Sequence, residues 1–213
     1  MRKSFCLTAA ALLLTVSASA SPIVGTNYDT VVGTFGNLIA GPTSDVFVAA
    51  LPPPASIGTL ENWVYFDSTS GLYTYVHLVT PTIPFVSKFN TGFGVEGFNG
   101  VAGWSWSDAL AAGGLGTGNG FMIDFGFDKS LDWVTAGNLN GSVTNTNGWG
   151  PSEGIHFFFQ STYAPATGDY NIINGEVGTA VSYAPAIPEP STVVLFGGAL
   201  ALFAIGRRRQ RKS

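Results

Sequence analysis

Gly103-Trp104-Ser105-Trp106-Ser107 is the nearest approach to a serine nucleophile motif in this 213-residue chain. A G-x-S-x-G turn works because two glycines let a strand reverse sharply into a helix, leaving the Ser hydroxyl exposed. Here Ser107 occupies the second glycine position, in a segment that reads as strand, so no nucleophile is expected. The glycine run Gly113 to Gly120 fits neither a dinucleotide fingerprint nor a phosphate loop and reads as a hairpin or loop. A zinc site would need His77 and His156 together with carboxylates from distant strands, and each histidine reads as a satisfied strand residue. Asp124, Asp128 and Asp132 recur every four residues, but a strand through Phe127 puts only the first two on one face, without the spacing of a calcium loop. No cofactor is expected; calcium is the one ligand hinted at, with Asp124 and Asp128 as its candidates. Carboxylate pairs for glycoside hydrolysis arise by chance among so many scattered acids. Trp104 and Trp106 would share a strand face and form a stacking pair for a sugar ring, with Trp63, Trp133 and Trp149 as alternatives, although core packing is the commoner fate of a tryptophan.

Charge narrows the partners. Residues 21–190 contain two basic side chains, Lys88 and Lys129, against all thirteen acidic ones, a formal charge of −11, whereas the whole chain carries −4. Such a body repels phosphate backbones, which excludes nucleic acid. Its one cysteine, Cys6, lies in the first twenty residues, so the body has no disulfide and must stand on its core.

The elements that would position these residues read as strands. Gly120 to Asp128 alternates Phe121, Ile123, Phe125 and Phe127 against Met122, Asp124, Gly126 and Asp128, a strict period of two. Gly71 to Thr80 and Gly154 to Gln160 alternate with two largely apolar faces, and shorter runs sit at Asp45 to Leu51, Asn62 to Phe66, Pro84 to Phe89, Gly103 to Trp106, Leu131 to Ala136, Tyr170 to Ile173 and Ala180 to Tyr183. Dense Gly, Asn-Gly and Pro punctuation separates them. Only Ser107 to Gly114 reads as helix, with Ser107 as its cap. The pattern predicts an all-β domain, a β-sandwich or jelly roll, over residues 21–184.

The two ends are different material and raise the mean hydropathy to +0.28. Arg2 and Lys3, the apolar Phe5 to Val16 and the small residues Ala18-Ser19-Ala20 predict a signal peptide over residues 1–20, cut by signal peptidase before Ser21. Near the other end, residues 191–206 are apolar and uncharged, and Arg207, Arg208, Arg209, Arg211 and Lys212 follow at once. This predicts a short transmembrane helix with a cytoplasmic C-terminus and residues 21–190 outside. Before it stands Pro188-Glu189-Pro190, stiff and extended because neither proline can sit inside a helix.

Pro-Glu-Pro, a short apolar helix and an Arg-rich tail, in that order over residues 185–213, resemble the PEP-CTERM sorting signal of Gram-negative bacteria that make exopolysaccharide. The resemblance implies that an exosortase reads Pro188, Glu189 and Pro190 and removes the anchor. The expected product is an exported, non-enzymatic protein, anchored transiently in the inner membrane and then held at the cell surface or in the extracellular matrix. Its expected role is structural or adhesive in the exopolysaccharide layer; the alternatives are a carbohydrate-binding module and, behind it, a secreted hydrolase.

The charge also makes a prediction. Calcium is expected to raise the melting temperature no more than sodium chloride of equal ionic strength, because mutual repulsion among the carboxylates is relieved by screening alone. A calcium-specific rise that survives high salt and disappears in Asp124→Asn or Asp128→Asn would overturn this.

Overall fold

The computed structural model describes residues 21–50, 52–112, 120–135 and 149–186. The expected signal peptide, sorting motif, apolar helix and basic tail lie outside these residues, as does most of the glycine run. Among the described residues no helix is long and apolar enough to cross a membrane.

The expected all-β class holds. Among the described residues twelve strands are β1 (Ser21–Ile23), β2 (Thr26–Asn27), β3 (Asn37–Ala49), β4 (Ala55–Asp67), β5 (Leu72–Pro81), β6 (Lys88–Thr91), β7 (Phe98–Trp104), β8 (Phe121–Phe125), β9 (Leu131–Thr135), β10 (Ile155–Ser161), β11 (Pro165–Ile173) and β12 (Val177–Pro185). They form one curled sheet in the order β1-β8-β9-β6-β11-β12-β3-β4-β5-β10-β7-β2. Every pairing is antiparallel except that of β2 with β7. β12 meets β3 through only two residue pairs, Gly178↔Ala49 and Thr179↔Val48, so the sheet bends there into two six-stranded halves. The polypeptide joins the far edges, since β1 lies on one half and β2 on the other.

The halves face each other across an aromatic layer. Phe157 of β10 is fully buried among Phe89, Phe121, Trp149 and Trp133, with ring centroids 4.9, 5.1, 5.4 and 5.7 Å away. The Trp133 indole N–H of β9 donates across the layer to the Gly103 carbonyl of β7 at 3.1 Å. Gly103 also admits the close approach of β2, since a Cβ there would collide with the Thr26 carbonyl.

At the bend, side chains replace the missing ladder. The Asn62 side-chain amide donates to the Tyr183 carbonyl at 2.9 Å and to His77 Nδ1 at 3.1 Å, while the Tyr170 hydroxyl donates to the same carbonyl at 2.6 Å. Thr43 and Ser182 hydroxyls meet at 3.2 Å, and the Val181 N–H donates to the Asp45 carboxylate at 2.7 Å. His77 is completely buried, its ring 4.4 Å from that of Tyr170, and desolvation lowers its pKa to about 3.

A second, smaller core covers the outer face. α1 (Tyr28–Val31) and the 3-10 turn Val32–Thr34 lie over β4, β5 and β10, burying Phe35 against Val76 and Phe158. The two apolar faces expected of β5 and β10 are both buried; what the strand pattern did not show is that α1 and the turn after it supply the outer cover.

Three sequence expectations change. The strand from Gly120 ends at Phe125: the chain turns through Gly126 to Lys129, held by Gly126 N–H to Ser130 O and Lys129 N–H to Gly126 O, and Phe127 stands 80% exposed at its tip. The stretch from Pro84 becomes strand only at Lys88. The helix is α2 (Trp106–Ala111), capped by Ser105 rather than Ser107, with the Ser105 hydroxyl accepting from the Asp108 N–H. The pattern Ser105-x-x-Asp108 is the local cue for that cap.

Two predictions follow from this packing. Phe157→Ala should cost about 3 to 5 kcal/mol in a urea melt, whereas Phe127→Ala should stay within about 0.5 kcal/mol; equal shifts would contradict the assignment of the two rings. The unfolded chain protonates His77 below pH 6.5 while the folded chain resists until about pH 3. Its contribution is therefore complete above pH 6.5 and falls by about 1.4 kcal/mol per pH unit below it. His77→Phe should remove that slope between pH 6.5 and 4.5, and an unchanged slope would show that His77 is not its source.

Candidate functional site

The polar groups that sequence spacing could not connect meet on the outer face of β10, next to α1 and α2. His156 points outward there, and Asp108 of α2 holds it twice, accepting from the backbone N–H at 3.1 Å and pairing with ring Nδ1 at 2.7 Å. Burial works to raise the Asp108 pKa, but the His156 and Ser105 hydrogen bonds outweigh it and keep the carboxyl below its usual range. The Ser105 hydroxyl donates to Asp29 at 2.7 Å, and the Ser107 N–H reaches the same carboxylate at 2.9 Å, tying α2 to α1. Tyr28 stacks on the His156 ring at 5.0 Å and 5°. Burial, then Tyr65, Asp108 and Asp29, push the Tyr28 pKa up to about 12. Trp63 of β4 completes the group, its ring 6.1 Å from His156.

Ser105 does stand between a strand and a helix, as a nucleophile would. Its backbone is ordinary extended chain (φ −72°, ψ 119°), its side chain is 1% exposed, and its hydroxyl is occupied by Asp29 and the Asp108 N–H. Asp108, not Ser105, is the partner of His156. The arrangement is a helix cap joined to an oriented histidine, and the Ser105 hydroxyl is not exposed as acyl transfer would require.

The other sequence candidates separate. Trp104 ends β7 and is buried at 2% exposure, while Trp106 opens α2, so the two share no strand face and Trp104 has no surface for a sugar ring. The change from strand to helix at Ser105 breaks the alternation on which the pair rested. Asp124 lies opposite Asp132 across the β8–β9 ladder, and Asp128 sits in the turn beyond, its carboxylate accepting from the Ser130 N–H and hydroxyl at 3.0 and 2.7 Å. Asp124 and Asp128 therefore share no strand face, because β8 ends before Asp128. Lys88 pairs with Asp132 at 2.8 Å and Lys129 with Glu96 at 2.7 Å, so both lysines of the body are engaged. Among the described residues no three His, Cys, Asp or Glu side chains gather as a metal site. A surface groove of about 250 Å³ along β11 and β12, lined by Phe93, Asp169, Val181 and Pro185 among others, holds a single acidic residue.

Pro188, Glu189, Pro190, Arg207, Arg208, Arg209, Arg211 and Lys212 lie outside the described residues. The body reaches almost to them: β12 runs one residue past the expected boundary to Pro185, and the Ala186 N–H still donates to the Ala164 carbonyl at 2.8 Å.

Comparison with family models finds the PEP-CTERM protein-sorting motif over residues 186–212. No curated protein and no solved structure matches the chain. The chain carries a PEP-CTERM sorting motif, and the match begins where the last strand of the β body ends.

Proposed function

We propose that this chain is an exosortase substrate, exported and briefly anchored in the inner membrane by residues 191–206. After processing, its β-sandwich-like body serves a structural or adhesive, non-catalytic role at the cell surface or in the exopolysaccharide matrix. The observation that carries this reading is the sorting motif at residues 186–212, directly after the last sheet hydrogen bond at Ala186. A folded body followed at once by a sorting motif is the arrangement expected of cargo, with Pro188, Glu189 and Pro190 read by the processing enzyme and Arg207 to Lys212 fixing orientation. The body adds two supports. Among the described residues the hydroxyl at the strand–helix junction beside the Asp108–His156 pair, that of Ser105, is buried and engaged, and the body's formal charge of −11 disfavours polyanions.

The test follows the tail. Pro190→Ala or Glu189→Ala should leave uncleaved full-length protein in the inner-membrane fraction, while wild type is released. Equal release of wild type and both variants would remove the sorting reading.

A further inference from the structure

Of the five tryptophans, Trp63 alone has an indole N–H that reaches solvent. The Trp133 and Trp149 N–H groups donate to the Gly103 and Glu153 carbonyls, and those of Trp104 and Trp106 are buried without a partner. Trp63 Nε1 has no hydrogen-bond partner among the described residues and is not among the buried atoms that lack one. The same holds for the Tyr28 hydroxyl and for His156 Nε2. Three solvated polar atoms thus sit on three rings joined through His156, which lies 5.0 Å from Tyr28 and 6.1 Å from Trp63.

These rings are fixed before any ligand arrives. Asp108 accepts from residue 156 through both the backbone and ring Nδ1, so the neutral imidazole carries its proton on Nδ1 and offers Nε2 as an acceptor. Tyr28 is held flat against that ring, and Asn27, the residue before it, caps α1. Trp63 is anchored on β4, where its register partner Val76 is buried under α1. None of the three rings lies in the main aromatic layer between the two halves.

We propose that Trp63, Tyr28 and His156 form a subsite for a neutral sugar ring. The indole and phenol supply donors and apolar surface, and the imidazole supplies an acceptor, the combination a hydroxylated ring requires. Charge selects among sugars. Asp29, Asp108 and Glu61 surround the site, and both lysines of the body are committed to Asp132 and Glu96 on the other half, so nothing here neutralises a uronate or sulfate. The choice of a polysaccharide ligand rests on the matrix role proposed above; the site itself rests on the three rings. Sequence spacing selected Trp104 and Trp106 instead, because it could not show whose N–H is left free.

The full chain, held in detergent, is titrated with cellohexaose and with the neutral fraction of the producing cells' own exopolysaccharide, and binding is followed by intrinsic fluorescence and calorimetry. Saturable binding to at least one probe is expected. Trp63→Ala should weaken it about tenfold, and Tyr28→Phe, which keeps the stacked ring and removes only a hydroxyl, about threefold. Met122→Ala, on β8 of the other half, should leave it unchanged, and hexagalacturonate should not saturate. Melting curves verify that each variant is folded. Absence of saturable binding to both neutral probes, an affinity left unchanged by Trp63→Ala or by Tyr28→Phe in folded protein, or equal binding of hexagalacturonate would overturn the subsite. Because the titration does not involve cleavage, its failure leaves the sorting reading intact.

Discussion

One side-chain amide, that of Asn62, holds the place where the sheet turns back on itself. β12 and β3 share only two residue pairs, and beyond them the Tyr183 carbonyl would be left without a ladder partner. Asn62 and the Tyr170 hydroxyl supply one from opposite halves, and Asn62 also reaches His77. A carbonyl taken out of water without a partner costs about 1 to 3 kcal/mol, and these two donors remove that cost at the bend. The arrangement has its own cost: the Asn62 oxygen and His77 Nε2 are buried without partners. Specifying where the sheet bends outweighs satisfying every atom at the bend.

Around this seam the body depends on rings. With no cysteine after residue 20, closure of the two halves rests on Phe89, Trp133, Phe157, Phe159, Tyr75 and Tyr170, all buried. Many of these rings contact across the layer at 4.9 to 5.7 Å, in tilted or edge-on geometries that favour aromatic pairs. This explains a high aromatic content in a chain with few charges, without requiring most of those rings to bind anything.

What was legible in the sequence was local. Phe121 and Ile123 were correctly placed inward because two-residue alternation is a property of the strand itself, and the PEP-CTERM motif was readable because its three parts are contiguous. Phe127 was misplaced because a four-residue turn stabilised by Asp128 and Ser130 breaks the alternation without a proline or an Asn-Gly to mark it. Trp106 was misplaced for the same reason, since the cap at Ser105 ends the strand. The Asp108–His156 contact was out of reach: 48 residues separate the partners, and only the pairing of β10 with β7 brings them together. Lys88 and Lys129 were visible as the body's only cations, but not their engagement with Asp132 and Glu96.

The register also fixes how the chain enters and leaves the body. Ser21 pairs with Phe125 beside the turn after β8, and Pro185 pairs with Pro165 at the start of β11, so first and last strands open at the same end of the sheet. A precursor tethered through both termini would hang from the lipid as a single loop, with one end of its strands toward the bilayer.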